Sequence, residues 1–231
     1  MIITSLGSIC FTRWNIATKL GIPYIASPFD NIENTTIHQF RNIENLLKKD
    51  FSQIEARSLE YREHQSRHIE TGKEVVFRGY KYIGDELEKP LILAHFLDEV
   101  KTEKEGWNRW HYKCKLFNKT LLDPQKSCLI SIRLNHGAEE DTPERRKHLE
   151  NEARHLLEYI YNRYNRDEGN TRLISIIVAK DIKEKETEVE TEANGFIQVA
   201  MPAGAEAETP YWHRQPKQDY IDIVKQFIRE F

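Results

Sequence analysis

Cys128-Leu129-Ile130-Ser131-Ile132-Arg133-Leu134 and Arg172-Leu173-Ile174-Ser175-Ile176-Ile177-Val178-Ala179 are two near-continuous runs of apolar, mostly β-branched residues. A strand with one wet face alternates polar and apolar residues, whereas a strand covered on both faces does not, so both runs are expected as inner strands of a parallel sheet. Between them Thr142-Pro143-Glu144 carries the marks of a helix start: a hydroxyl cap, then proline at the first helical position. Leu149, Ala153, Leu156, Leu157 and Ile160 follow at helical spacing and form its apolar stripe. Strand, helix and strand in that order make a βαβ unit.

The flanking sequence extends the alternation. Ile2 to Leu6 is a short apolar run ended by Gly7, and residues 10–20 can form a helix that Gly21 stops. Pro23 to Phe29 reads as a second strand, and Thr35 to Lys49 as a helix through Ile37, Phe40, Ile43, Leu46 and Leu47. Residues 58–84 change character, with short β-rich pieces around Thr71-Gly72, and predict a small antiparallel insert. Leu91 to Phe96 is apolar but brief. Glu105 to Leu122 has a helical repeat through Trp107, Trp110, Cys114, Phe117 and Leu121. Residues 182–194 are highly charged and are expected as a solvated loop or edge hairpin. Gly195 to Met201 is a candidate last strand, and an amphipathic helix over Asp219 to Phe231 closes the chain. The expected fold is a single α/β domain over 1–231, with three layers and a mostly parallel sheet flanked by helices.

Composition narrows the function. The chain has 231 residues, 39% hydrophobic and 31% charged, which describes a soluble protein with a well-charged surface. Lys and Arg total 34 against 37 Asp and Glu, a net charge of -3, so no global basic field exists to hold a nucleic-acid backbone. No stretch has the length of a membrane span, and the amino terminus lacks the basic then apolar pattern of an export signal. Three cysteines without CxxC spacing argue against a disulfide framework or a thiolate zinc site, and a reducing cytoplasm fits best. His64 and His68 have a four-residue spacing but sit in a β-rich stretch, so no metal is expected. Glycine-rich cofactor loops and the GxSxG elbow are absent, and no cofactor is implied.

The residues that can carry chemistry cluster near strand ends. Ser5-Leu6-Gly7-Ser8-Ile9-Cys10 places a thiol where a strand hands over to a helix, and unpaired first-turn N–H groups stabilise a thiolate there. The same donors suit a phosphate or carboxylate, which would make Gly7 and Ser8 the working parts, and a small packed cysteine is the third reading. Asp30 ends Ser27-Pro28-Phe29-Asp30, where a carboxylate can orient a histidine, bind a sugar hydroxyl or simply cap a turn. His95 and His136 both follow apolar runs and are rival bases. Arg133, Asn135 and His136 face the same strand end as anion or substrate binders, with an ion pair to the acidic 139–141 stretch as the plain alternative for Arg133.

Taken together, Ser5-Leu6-Gly7-Ser8-Ile9-Cys10, Leu20-Gly21 and Ser27-Pro28-Phe29-Asp30 resemble the SLGxxC and PFD boxes of a bacterial family of papain-like cysteine peptidases. A weaker likeness continues through Ala94-His95-Phe96 and the Trp-rich helix to Arg133. The resemblance implies a cysteine-dependent hydrolase or acyl transferase with Cys10 as nucleophile, His95 as base and Asp30 as the third member, acting on a peptide, glycan or small molecule. Two other classes stand beside it. One is a glycan or nucleotide-sugar transferase binding phosphate at Gly7–Cys10, and the other is a binding module without catalysis.

Overall fold

The computed structural model describes residues 1–7, 16–31, 39–50, 59–67, 74–82, 91–93, 102–134, 142–179, 188–202, 218–229 and 231. In chain order the elements are β1 (Ile2–Ser5), α1 (Thr18–Leu20), β2 (Tyr24–Ile25), α2 (Gln39–Lys48), β3 (Leu59–Arg67), β4 (Glu74–Tyr82), β5 (Leu91–Leu93), α3 (Glu103–Leu122), β6 (Ser127–Leu134), α4 (Pro143–Tyr164), β7 (Thr171–Ala179), β8 (Glu188–Ala193), β9 (Phe196–Pro202) and α5 (Gln218–Arg229). Five strands in the order β2-β1-β6-β7-β9 form an all-parallel sheet, and β8 adds an antiparallel outer edge on β9. β3, β4 and β5 form a separate antiparallel sheet.

Helices cover both faces of the parallel sheet, which is why its strands lack alternation. Leu129 and Leu173 pack with Phe40, Ile43 and Leu46 of α2, Phe117 and Leu121 of α3, and Leu149, Ala153, Leu156 and Ile160 of α4. Ile3, Ile130, Ile174 and Ile176 point the other way, onto Ile16 and Ala17 beside α1 and onto Val224, Phe227 and Ile228 of α5. The result is a three-layer α/β fold.

Local chemistry sets the boundaries. Thr142 accepts a hydrogen bond from the Arg145 N–H, Pro143 takes the first helical position, and Asn165 ends α4 in the left-handed region at φ 51. The strand expected over Pro23 to Phe29 stops at Ile25. Ser27 Oγ accepts from the Phe29 N–H at 2.9 Å, and Pro28–Asn31 winds into a 3-10 turn. Among the described residues of the helix expected over 10–20, Thr18–Leu20 are α-helical, capped by Gly21 at φ 65; positions 10–15 lie outside the described residues. Within the charged stretch 182–194, Glu188–Ala193 pairs antiparallel with β9 as an edge hairpin, and 182–187 lie outside the described residues. An outer strand uses only one of its two hydrogen-bonding edges, and charged residues on such a strand oppose further pairing. Asn194 and Gly195, both at positive φ, make the tight turn into β9, and a Cβ on Gly195 would meet Tyr161 Oη at 2.5 Å.

The amino ends of β6 and β7 are tied by one side chain. Buried Arg166 donates to Thr171 Oγ1 at 2.6 Å, to the Gln125 and Asn170 carbonyls at 2.7 Å each, to Ser127 Oγ at 3.1 Å, and to the Asp123 carbonyl. Removing the guanidinium takes the donor from two buried hydroxyls and three part-buried carbonyls. Arg166→Met is therefore expected to lower the unfolding free energy by about 3 kcal/mol. Urea denaturation checks this: the midpoint falls and the slope is unchanged.

Candidate functional site

In an open parallel sheet the place for a ligand is the carboxyl edge where the chain reverses its direction of travel across the sheet. Here β1 leads to β2 on one side, and the chain then returns past β1 to β6 on the other, so that place lies between β1 and β6. The connecting helices diverge, with α1 on one face and α2, α3 and α4 on the opposite one. Beyond β1 the Leu6 N–H donates to the Ile130 carbonyl at 2.8 Å, extending the ladder by one residue. Gly7 then turns away at φ 121, a conformation that a side chain would strain, with its N–H donating to Ser5 Oγ at 3.0 Å.

A band of buried polar residues crosses the sheet below this edge. Ser131 pairs in register with Ser175, and Ser175 with Gln198, and all three are buried. They occupy the same face as the apolar row Leu129, Leu173 and Phe196, two residues nearer the carboxyl ends. Gln39, at the start of α2, donates through Nε2 to Ser131 Oγ at 2.5 Å, and Gln198 Nε2 donates to the Arg146 carbonyl in the first turn of α4 at 3.0 Å. The helices add buried charge at this level. Glu152 meets Arg41 Nε at 3.3 Å and His148 Nε2 at 3.1 Å, while Glu150 meets Lys147 at 2.8 Å and Arg154 at 3.0 Å. Ser131, Ser175 and Gln198 escaped the sequence analysis, although Leu-Ile-Ser-Ile occurs in both inner strands and so marks the pairing.

Asp30 lies in the 3-10 turn after β2 and is buried. Its Oδ1 accepts from Tyr24 Oη and, at 3.2 Å, from the Ser27 N–H, and its Oδ2 is 3.3 Å from Lys113 Nζ on α3. Phe29 beside it packs edge-on against Phe117 at 5.4 Å. This group of contacts fastens the edge strand to α3. Burial raises the Asp30 pKa above the ordinary carboxylate value, opposed by Lys113 and by the Tyr24 and Ser27 hydrogen bonds.

The other expected site residues divide simply. Gly7 follows β1 at the carboxyl edge of the sheet, and Arg133 lies in β6 paired with Ile177. Ser8, Cys10, His95, Asn135 and His136 lie outside the described residues. Cys114 and Cys128 are buried, and burial pushes both thiols up, Cys128 to about 12. Among the described residues no group of His, Cys, Asp and Glu is arranged to hold a metal, and no helix is long and apolar enough to cross a membrane. No family model matches the chain, and no curated protein or solved structure is significantly similar to it.

The Asp30 contacts have a pH signature. With a raised native pKa the folded state holds this proton more tightly than the unfolded chain does. Its contribution to stability is therefore greatest below the unfolded value and declines as pH rises through the native one. Lys113→Met removes the opposing cation and raises the pKa further. The stability deficit of Lys113→Met relative to the parent is expected to grow from about pH 4 to about pH 7. Urea midpoints across that range test it; a constant deficit contradicts the assignment.

Proposed function

We propose that the protein is a cysteine-dependent hydrolase or acyl transferase whose site opens between the carboxyl ends of β1 and β6. The observation that carries the reading is the direct pairing of these two strands at the point where the sheet's connections diverge. Cys10 follows Gly7 by three residues and His136 follows Leu134 by two. At no more than about 3.6 Å per residue, the thiol's backbone is within ~11 Å of the Gly7 turn that follows β1 and the imidazole's within ~7 Å of the end of β6. This connectivity favours His136 as the base. His95, the base implied by family resemblance, instead follows β5 of the other sheet.

In this reading the Cys10 thiolate attacks an acyl carbon and forms a C–S bond, while N–H groups of the segment after Gly7 stabilise the oxyanion. Collapse breaks the bond to the leaving group, which takes a proton from the imidazolium. A water or acceptor hydroxyl, deprotonated by the imidazole, then cleaves the thioester and restores the thiolate. The partner is thus a small molecule, peptide or glycan bearing an acyl group. A second reading, a nucleotide-sugar or glycan transferase, draws on the Gly7 turn after β1, with the N–H groups that follow it as the phosphate donors.

A panel of activated esters, thioesters and peptide anilides tests the proposal. Cys10→Ser is expected to lower turnover by at least about a thousandfold with an unchanged urea midpoint. His136→Gln is expected to lower it by about a hundredfold, and His95→Gln to have little effect. Undiminished turnover in Cys10→Ser overturns the thiol mechanism; a thermal shift with a uridine diphosphate sugar would then favour the second reading.

A further inference from the structure

A pocket of about 290 Å³ lies where α2, α3 and α4 end, lined by Leu47, Lys48, Asp50, Asn118, Leu122, Arg163 and Tyr164. α3 and α4 run directly into the amino ends of β6 and β7, so this pocket is at the opposite edge of the sheet from the proposed catalytic crevice. Its volume is that of about ten waters at ~30 Å³ each, the size of a small metabolite.

The polar groups of the lining differ in what they have left to offer. Lys48 is engaged by Glu44 at 2.5 Å and rests over the Tyr159 ring at 5.6 Å. The Tyr164 hydroxyl donates to Asn118 Oδ1 at 3.0 Å. The Arg163 guanidinium makes no hydrogen bond or ion pair among the described residues, and Asn118 Nδ2 makes no hydrogen bond there. The uncommitted groups are therefore donors, one a guanidinium whose fork matches a carboxylate. Leu47 and Leu122 supply apolar wall, and Leu122 is 67% exposed, an apolar side chain left in water at the rim.

We infer that this pocket binds a small monocarboxylate with an apolar body, the carboxylate on Arg163 and Asn118 and the body against Leu47 and Leu122. Asp50 in the same lining selects against ligands of higher negative charge. The site is independent of the chemistry proposed at the crevice.

Titration of the full-length protein with hexanoate, acetate, hexylamine and inorganic phosphate, read by calorimetry and by NMR shifts, tests the inference. Hexanoate is expected to bind saturably, and the other three at least about tenfold more weakly. Arg163→Gln, at an exposed position, is expected to weaken hexanoate about tenfold without changing the melting temperature of the free protein. Leu122→Asn should weaken hexanoate and leave acetate unchanged. Absence of saturable hexanoate binding, or equal affinity in Arg163→Gln, overturns the proposal.

Discussion

The register of the parallel sheet is the constraint on which everything else depends. Ile3, Leu129, Leu173 and Phe196 belong to strands covered on both faces, so register cannot slip without moving whole rows of side chains. A shift of one residue in β6 would carry Leu129 and Ser131 to the α1 and α5 face and Cys128 and Ile130 to the other. Ser131 would then lose its partner Gln39 on α2 and its place beside Ser175. The same register sets Leu6 beside Ile130 and so fixes where the chain leaves β1 relative to β6. The switch point between β1 and β6 is a consequence of packing before it is a matter of chemistry.

The polar band makes that packing specific. Apolar contacts between a sheet and its helices tolerate sliding, whereas buried amides and hydroxyls tolerate only arrangements that satisfy them. Gln39 fixes α2 to β6, and Gln198 fixes β9 to α4. Glu152, reached by both the Arg41 side chain and its backbone N–H, joins α2 to α4. At the amino edge Arg166 performs the equivalent task with carbonyl acceptors, so the sheet is held at both ends by hydrogen bonds and in the middle by apolar contact. Arg172 extends this on the other face, stacking on the Phe227 and Phe231 rings and donating to the Phe227 carbonyl at 3.0 Å.

The inner strands and α4 were legible because their signals are physical requirements. Two-sided burial removes alternation, and Thr142-Pro143 can satisfy a helix start with no help from the rest of the chain. Reading was poorer where tertiary contacts decide. β2 is only two residues long because Ser27 draws the chain into a turn that Phe117 and Lys113 then hold, and nothing local in Pro23 to Phe29 announces those partners. Asp30 stood out as a carboxylate near a strand end, but its partners Tyr24 and Lys113 come from β2 and from α3, and the latter is far away in sequence. Residues of the polar band are unremarkable serines and glutamines until the register brings them into line.

The proposed thiol mechanism stands or falls with the reactivity of Cys10. Cys114 and Cys128 are buried with raised pKa values, so alkylation by iodoacetamide in the native state reads the Cys10 thiol. The decisive measurement is the pH dependence of that rate in the parent and in His136→Gln. The account requires a half-maximal rate below about pH 7 in the parent and a clear upward shift when the imidazole is removed. A rate that rises only near the ordinary thiol value of about 8.5, and ignores the histidine, would contradict it.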